Sequence, residues 1–243
     1  MTPDQVTRGA SLLLLCYLIG SVPFGVLIGR LKGVDPRTVG SGNIGATNVL
    51  RALGPWMAAS VLILDMVKGL VPVLLVAMWA DGLPDLRRVG LLGAGWPPAG
   101  YWVNAYQCAA AGSVAGVVAI IGHNWPIFLR FKGGKGVSTS AGVIFALDWR
   151  VGLLFVGVFI LVLAVTRYVS VASTLAAWAI PAGMWVAHRH DGGGGPLLAL
   201  GLAAAILVTV KHRANYARLA NGTESRFRFQ KSLPTDATPA GPA

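Results

Sequence analysis

Residues 9 to 29 run between Arg8 and Arg30 without a single charged side chain. Long apolar stretches separated by short polar ones then recur almost to the end of the chain. About 20 apolar residues is the length an α-helix needs to cross the hydrocarbon core of a bilayer. In that medium every backbone N–H and C=O must be paired within the spanning element, so the pattern points to membrane-spanning helices. Over 243 residues the chain is 55% hydrophobic and only 12% charged, too apolar for an ordinary soluble domain. The first stretch is too long for a signal-peptide core and no small-residue cleavage site follows it, so it is expected to remain as a first span. Pro23 within it removes a backbone donor and predicts a bend.

A second span is expected at about 55–80. It carries Asp65 and Lys68, three apart and therefore on one helical face. Ionisable groups at such depth mark either a supporting ion pair or the wall of a site. Further spans are expected at about 105–121, 137–147, 151–165, 171–187 and 196–210, seven in all if Asp148 to Arg150 is a turn. The fourth is then short and must be tilted, partly buried or matched by local thinning. Lys32 to Arg51 reads as a tight polar loop, because its short side chains compete with helix for backbone hydrogen bonds. Residues 81–104 read as an interfacial loop with Trp96, Tyr101 and Trp102. Cys16 and Cys108 both fall in apolar runs and read as packing residues, not as a disulfide or metal framework.

The net charge is +11. A nucleic-acid partner would call for a basic run interleaved with aromatics, which the chain lacks. In a membrane protein the excess reads as an orientation signal and as attraction to anionic lipid or phosphorylated substrates. With seven spans, segments 30–51, 130–135, 166–170 and 211 onward share one side and hold fourteen of the twenty Lys and Arg. That side is expected to be cytoplasmic, with the N-terminus outside and the C-terminus inside. Six spans would scatter the polar motifs over both faces.

The most polar of these segments is Gly122 to Thr139, centred on Lys132-Gly133-Gly134-Lys135-Gly136. Two readings fit it: a basic connector between spans, or a phosphate cradle in which glycines turn successive N–H groups toward one anion. On the same side lie a Ser/Asn loop ending in Arg51, then Arg167 with Ser170, then His212-Arg213-Ala214-Asn215. Lysine offers a point charge, arginine a fork for two oxygens, and Ser or Asn neutral hydrogen bonds, which together suit more than one phosphate. The motif is not a Walker loop, since Gly134-Lys135 is followed by Gly136 and not by Ser or Thr. Zinc-hydrolase and serine-hydrolase signatures are also missing, and neither metal nor cofactor is expected.

Gly40-Ser41-Gly42-Asn43-Ile44-Gly45-Ala46-Thr47-Asn48 with Arg51, Gly122-His123 with Lys132 to Thr139, Arg167-Tyr168-Val169-Ser170, and His212-Arg213-Ala214-Asn215 with Arg218 and Glu224 closely resemble the motifs of the PlsY family, bacterial acyl-phosphate:glycerol-3-phosphate acyltransferases. The resemblance runs from about Tyr17 to Glu224. The segment at 81–104 and the extended tail depart from it without touching a motif.

The resemblance implies an all-α integral membrane enzyme that moves a fatty acyl group from acyl phosphate to the 1-hydroxyl of glycerol 3-phosphate, in phospholipid biosynthesis. Ser41, Arg51 and Lys135 are then expected to hold the glycerol-phosphate headgroup, with His212 and Asn215 completing the catalytic set. Asn43, Asn48, Lys132, Gly133, Gly134, Gly136, Ser138 and Ser170 are expected to bind phosphate. Asp65, Lys68, His123, Arg167 and Glu224 are expected to support them, Glu224 by neutralising a basic neighbour. The proton acceptor stays open between His212, whose unperturbed pKa lies near neutrality, and a donor phosphate oxygen. His188 and His190 receive no role. Residues 1–224 are expected to form one transmembrane domain, and 225–243 a basic, disordered cytoplasmic tail. The expected setting is the bacterial cytoplasmic membrane with the site facing the cytoplasm, among membrane lipids and in contact with the enzyme that supplies acyl phosphate. The rival reading is a phosphate, organophosphate or lipid transporter with a basic cytoplasmic mouth. Carriers often show internal repeats and helices broken at the midplane, and no repeat is visible.

Overall fold

The computed structural model describes residues 3–80, 105–190 and 194–227. The expected interfacial loop at 81–104 and the tail beyond 227 lie outside the described residues. Ten α-helices make up the described fold: α1 Pro3–Ser21, α2 Phe24–Leu31, α3 Ala46–Leu53, α4 Pro55–Ala80, α5 Ala105–Asn124, α6 Val137–Leu147, α7 Trp149–Thr166, α8 Val169–His188, α9 Gly194–Lys211 and α10 Arg213–Ala220. Five helical stretches are long and apolar enough to cross a membrane, and a sixth is added if the bent pair α1–α2 counts as one span.

The bend expected at Pro23 is present in the first apolar stretch. The stretch is two helices at 41° to one another, broken at Val22-Pro23. A break at membrane depth leaves backbone groups to be satisfied, and Lys68 meets one of them. Its Nζ donates to the Val22 carbonyl at 2.8 Å and pairs with Asp65 Oδ1 at 2.6 Å.

The polar loop after α2 is corrected, because its second half is helical. Val49 and Leu50 of α3 pack on Ala58 and Val61 of α4, and Thr47 and Arg51, four apart, share the opposite face. The segment after the last span, for which no helix is expected from sequence, contains helix α10 at Arg213–Ala220. The turn expected at Asp148 is present. Its carboxylate accepts from the Arg150 N–H at 2.8 Å, capping α7, and from His188 Nε2 at 2.9 Å.

Helix α6 is buried along most of its length. Thr139 to Ile144 are all buried, inside a core built from Val73, Ile120, Phe155, Ile180, Met184 and Leu200. Its contact with α4 is intimate enough to require glycine on both helices. A Cβ on Gly142 would sit 1.8 Å from the Met66 carbonyl, and one on Gly69 2.2 Å from that of Thr139. Small residues at such crossings replace the hydrophobic drive that lipid cannot provide. At 11 residues α6 is roughly 16 Å long, about half a hydrocarbon core.

Candidate active site

A cavity of about 510 Å³ lies where α3, α6, α8 and α10 begin, with α4 and α7 alongside. Ser41, Asn43, Asn48, Arg51, Lys135, Gly136, Ser138, Ser170, His212, Asn215 and Glu224 all line it, together with Asp65 and His123. Segments separated by up to about 180 residues of sequence thus meet at one place.

The four helix starts share one property. Gly45, Gly136, Tyr168 and His212 precede α3, α6, α8 and α10, and none supplies a side-chain cap. The first turn of a helix carries N–H groups without an internal partner, and the helix dipole adds partial positive charge there. An anion is the natural complement. At the other end of α6 the arrangement is reversed, since Asp148 caps α7 with its own carboxylate.

Side chains add to this field. Arg51, Lys135 and Arg218 face the cavity, and its two carboxylates are already paired, Asp65 with Lys68 and Glu224 with Arg218 Nε at 2.8 Å. Glu224 also accepts from Ser170 Oγ at 3.0 Å and Asn215 Nδ2 at 2.6 Å. Burial pushes its carboxyl up, but these three donors outweigh burial and hold it below its ordinary value. Burial pushes the Lys135 ammonium down to about 8, against the opposing pull of Glu224. Burial, reinforced by the Lys135 charge, pushes His212 down to about 4. The His212 ring is 2% exposed, and its Nδ1 lies 2.8 Å from the Val208 carbonyl. A carbonyl only accepts, so Nδ1 carries the proton and Nε2 is left as the acceptor.

Several expected ligands do other work. Asn48 Oδ1 accepts from the Ser41 N–H at 2.9 Å and Oγ at 3.2 Å, while its Nδ2 donates to Pro36 and Val39 carbonyls. Those bonds use the amide to shape the loop. Of the expected phosphate ligands, Lys132, Gly133 and Gly134 are not among the residues lining the cavity, nor are Lys68 and Arg167, which were expected only to support it. The Gly134 N–H is spent on the His123 carbonyl at 3.1 Å, and the His123 ring lies where a Gly134 side chain would begin, 2.0 Å from an ideal Cβ. Lys132 is exposed. Arg167 ends α7 in the left-handed region, φ 60°, and its carbonyl accepts from the Phe227 N–H at 2.6 Å. Residues 225–227, assigned above to the tail, are thereby pinned to the α7–α8 corner, with Arg226 Nε also donating to the Tyr168 hydroxyl at 3.2 Å.

The cradle is thus narrower than expected: Lys135, Gly136 and the first turn of α6. Gly136 is fixed by conformation and by space, with φ at +80° and Asn124 Oδ1 2.8 Å from where a Cβ would stand. Ser173, and Thr47 and Arg218, which belong to the motifs but carry no expected role, also line the cavity. Thr47 stands four before Arg51 and Ser173 three after Ser170, a helical signal visible once those segments are known to be helices.

Comparison with known proteins gives a consistent result. The family model described as glycerol-3-phosphate acyltransferase matches residues 10–222. A glycerol-3-phosphate acyltransferase of Desulforudis audaxviator is 43% identical over 218 residues, covering 89% of this chain and 94% of that one. One of Prochlorococcus marinus is 41% identical over 216 residues, covering 87% and 93%. Among solved structures, the integral membrane glycerol 3-phosphate acyltransferase PlsY (YgiH) in its glycerol 3-phosphate form aligns with a TM-score of 0.73 at 36% identity, over 91% of this chain and 96% of that one. Its lysophosphatidic acid form aligns with a TM-score of 0.72 at 35% identity, over the same shares.

Proposed function

The chain belongs to the glycerol-3-phosphate acyltransferase family, and on that premise we propose that it transfers a fatty acyl group from acyl phosphate to the 1-hydroxyl of glycerol 3-phosphate, giving lysophosphatidic acid and inorganic phosphate. The observation that carries this reading is the meeting of four uncapped helix starts with Arg51, Lys135 and Arg218 around one cavity. Such a site holds two phosphorylated reactants side by side. The transport reading gives way, because the relatives and the solved neighbours are acyltransferases.

An acyl phosphate is already activated, so the protein needs no covalent nucleophile. It supplies proximity and charge stabilisation. Ser41, Asn43 and Arg51 hold glycerol 3-phosphate, the first turn of α6 with Ser138 and Ser170 receives the donor phosphoryl group, and Lys135 stands between the two. The hydroxyl oxygen attacks the carbonyl carbon, the bond from that carbon to the phosphate oxygen breaks, and the phosphate leaves carrying the hydroxyl proton. A histidine near 4 is a weak base at neutral pH, which favours the departing phosphate as proton acceptor. His212 Nε2 then accepts a hydrogen bond from the hydroxyl and aims it. Asp65 and Lys68 hold the break in the first span beside the site, and His123, with Nδ1 3.9 Å from Asp65 Oδ1, backs the lysine loop. Leu62, Phe159 and Val169 form an apolar side of the cavity where the acyl chain enters.

In this reading α1–α2 together and α6 each count as a crossing, making seven. The N-terminus is outside and the cavity faces the cytoplasm of a bacterial inner membrane, where the enzyme that makes acyl phosphate delivers it. Residues 1–224 act as one unit.

The test is to incubate purified protein in lipid with acyl phosphate and labelled glycerol 3-phosphate. Labelled lysophosphatidic acid is expected in step with phosphate release. Binding of both substrates without product would overturn the reading, as would equal turnover from an acyl thioester.

A further inference from the structure

Lys132 does not line the cavity, and neither do residues 127–131 before it. Between the end of α5 and Gly133, Ile127, Phe128 and Phe131 are 48%, 57% and 56% exposed, with Arg130 and Lys132 exposed beside them. Arg130 and Phe131 are two of the three non-glycine residues with positive φ among those described, at 52° and 61°. Side chains disfavour that region, and consecutive residues held there mark a turn that its surroundings enforce. The enforcement is visible: the Phe131 N–H donates to the Pro126 carbonyl at 2.9 Å and the Lys132 N–H to Leu129 at 3.1 Å. The turn keeps two aromatic rings and an isoleucine out of the protein and two cations among them.

Its position says what these groups meet. The apolar stretch that includes α5 runs from Ala109 through Leu129, so the turn lies where the chain leaves the hydrocarbon. Aromatic rings suit the boundary between acyl chains and headgroups, and adjacent cations suit anionic headgroups. We propose that residues 127–132 form an interfacial foot, inserting Ile127, Phe128 and Phe131 into the leaflet on the cavity side and setting Arg130 and Lys132 on anionic phospholipid headgroups. The foot is joined to the site by a short, stiff path. Two residues after Lys132 the Gly134 N–H is bonded to the His123 carbonyl, and Lys135 follows. The foot therefore sets the height of Lys135 relative to the lipid surface.

The foot depends on the membrane-spanning reading of α5 and not on acyl transfer, so its test reads depth directly. Single cysteines (Phe128→Cys or Phe131→Cys, with Cys16→Ser and Cys108→Ser) carry a nitroxide on the full chain in vesicles of phosphatidylcholine with phosphatidylglycerol. Collision with oxygen is expected to exceed collision with a water-soluble nickel chelate at both positions. Chelate-accessible labels at both, in vesicles where a Val114→Cys label is oxygen-accessible, would overturn the foot and leave the span intact, pointing to a soluble partner. The second arm compares Arg130→Gln with Lys132→Gln combined against the unaltered chain. The unaltered enzyme is expected to work several-fold faster when phosphatidylglycerol is present, and the double variant equally in both lipids. The headgroup assignment fails if the unaltered enzyme ignores lipid charge, if the double variant keeps the preference, or if the variant's loss is the same in phosphatidylcholine alone, the mark of contact with substrate.

Discussion

Lys135 and Asn215 meet across the cavity, with the ammonium 2.5 Å from Asn215 Oδ1. The other end of the same amide donates to Glu224 at 2.6 Å, so the asparagine cannot turn over without facing a cation with its NH2 group and a carboxylate with its oxygen. A hydrogen bond to a charged group contributes about 1.5–3 kcal/mol. Asn215→Ala is therefore expected to lower kcat/KM by roughly 10- to 100-fold, and to lower Tm by several degrees because Lys135 and Glu224 both lose a partner. An unchanged kcat/KM in a steady-state assay would remove Asn215 from the site.

Lys135 is expected to set the alkaline limb of the pH–rate profile. With its ammonium at about 8 in the empty cavity, the charge is present below that pH and lost above it. The plot of kcat/KM, which reports the free enzyme, is expected to fall as pH rises through about 8. Bound phosphates favour the charged form, so the corresponding fall in kcat is displaced upward. Lys135→Arg, charged at all accessible pH, is expected to erase the alkaline limb at reduced activity. Rate profiles between pH 6 and 10 on both proteins check this.

Glu224 holds three donors at once, on α8 and α10. Glu224→Gln removes the charge that holds Arg218 and one of the acceptor oxygens. Its expected cost is about 2–3 kcal/mol, lowering Tm by roughly 4–10 °C, with activity falling too because Ser170 and Asn215 lose their common partner. Calorimetry in detergent and in lipid measures the shift. A variant as stable as the parent would contradict the role given to this carboxylate.

Gly136→Ala tests the cradle. The left-handed backbone alone costs an alanine about 1–2 kcal/mol, and its Cβ would press on Asn124 Oδ1. Relief requires the first turn of α6 to move, and the N–H groups of Val137 and Ser138 move with it. KM for a phosphorylated substrate is expected to rise roughly tenfold or more with a smaller change in kcat. Initial rates over both substrates separate the two.

The long apolar helices were legible from hydropathy: the expected bounds 55–80 and 137–147 coincide with helices α4 and α6, although α6 falls short of the helices long enough to cross a membrane. Helices α3 and α10 were not, since eight-residue helices owe their stability to packing and not to propensity, and α3 is held by the first turns of α4, at Ala58 and Val61, that fold back on it. Within the site, the composition of each motif pointed to the right place but not to which side chain faces it. Lys132 and Lys135 look alike in sequence. A pair of left-handed residues and one glycine between α5 and α6 send the first outward and the second in. Asn48 resembled a ligand and is a brace, and His188, given no role, is buried against Asp148. Which partner a polar side chain finds depends on the long-range fold that its own segment does not record.

The cavity reaches well down between the helices. Asp65 stands ten residues beyond Pro55, roughly 15 Å along α4, and Phe159 seven before Thr166, roughly 10 Å along α7. On the acyl transfer proposed above, glycerol 3-phosphate, small and doubly charged, would enter from water past the helix starts, while the fatty donor would come from the bilayer at the depth its own chain already occupies. The product inherits the difficulty of both, a polar head sunk below the surface and a tail that cannot follow it into water. On that reaction its head has to rise past Arg51, Lys135 and Arg218, the cations that draw the phosphates in, before the product reaches headgroup level.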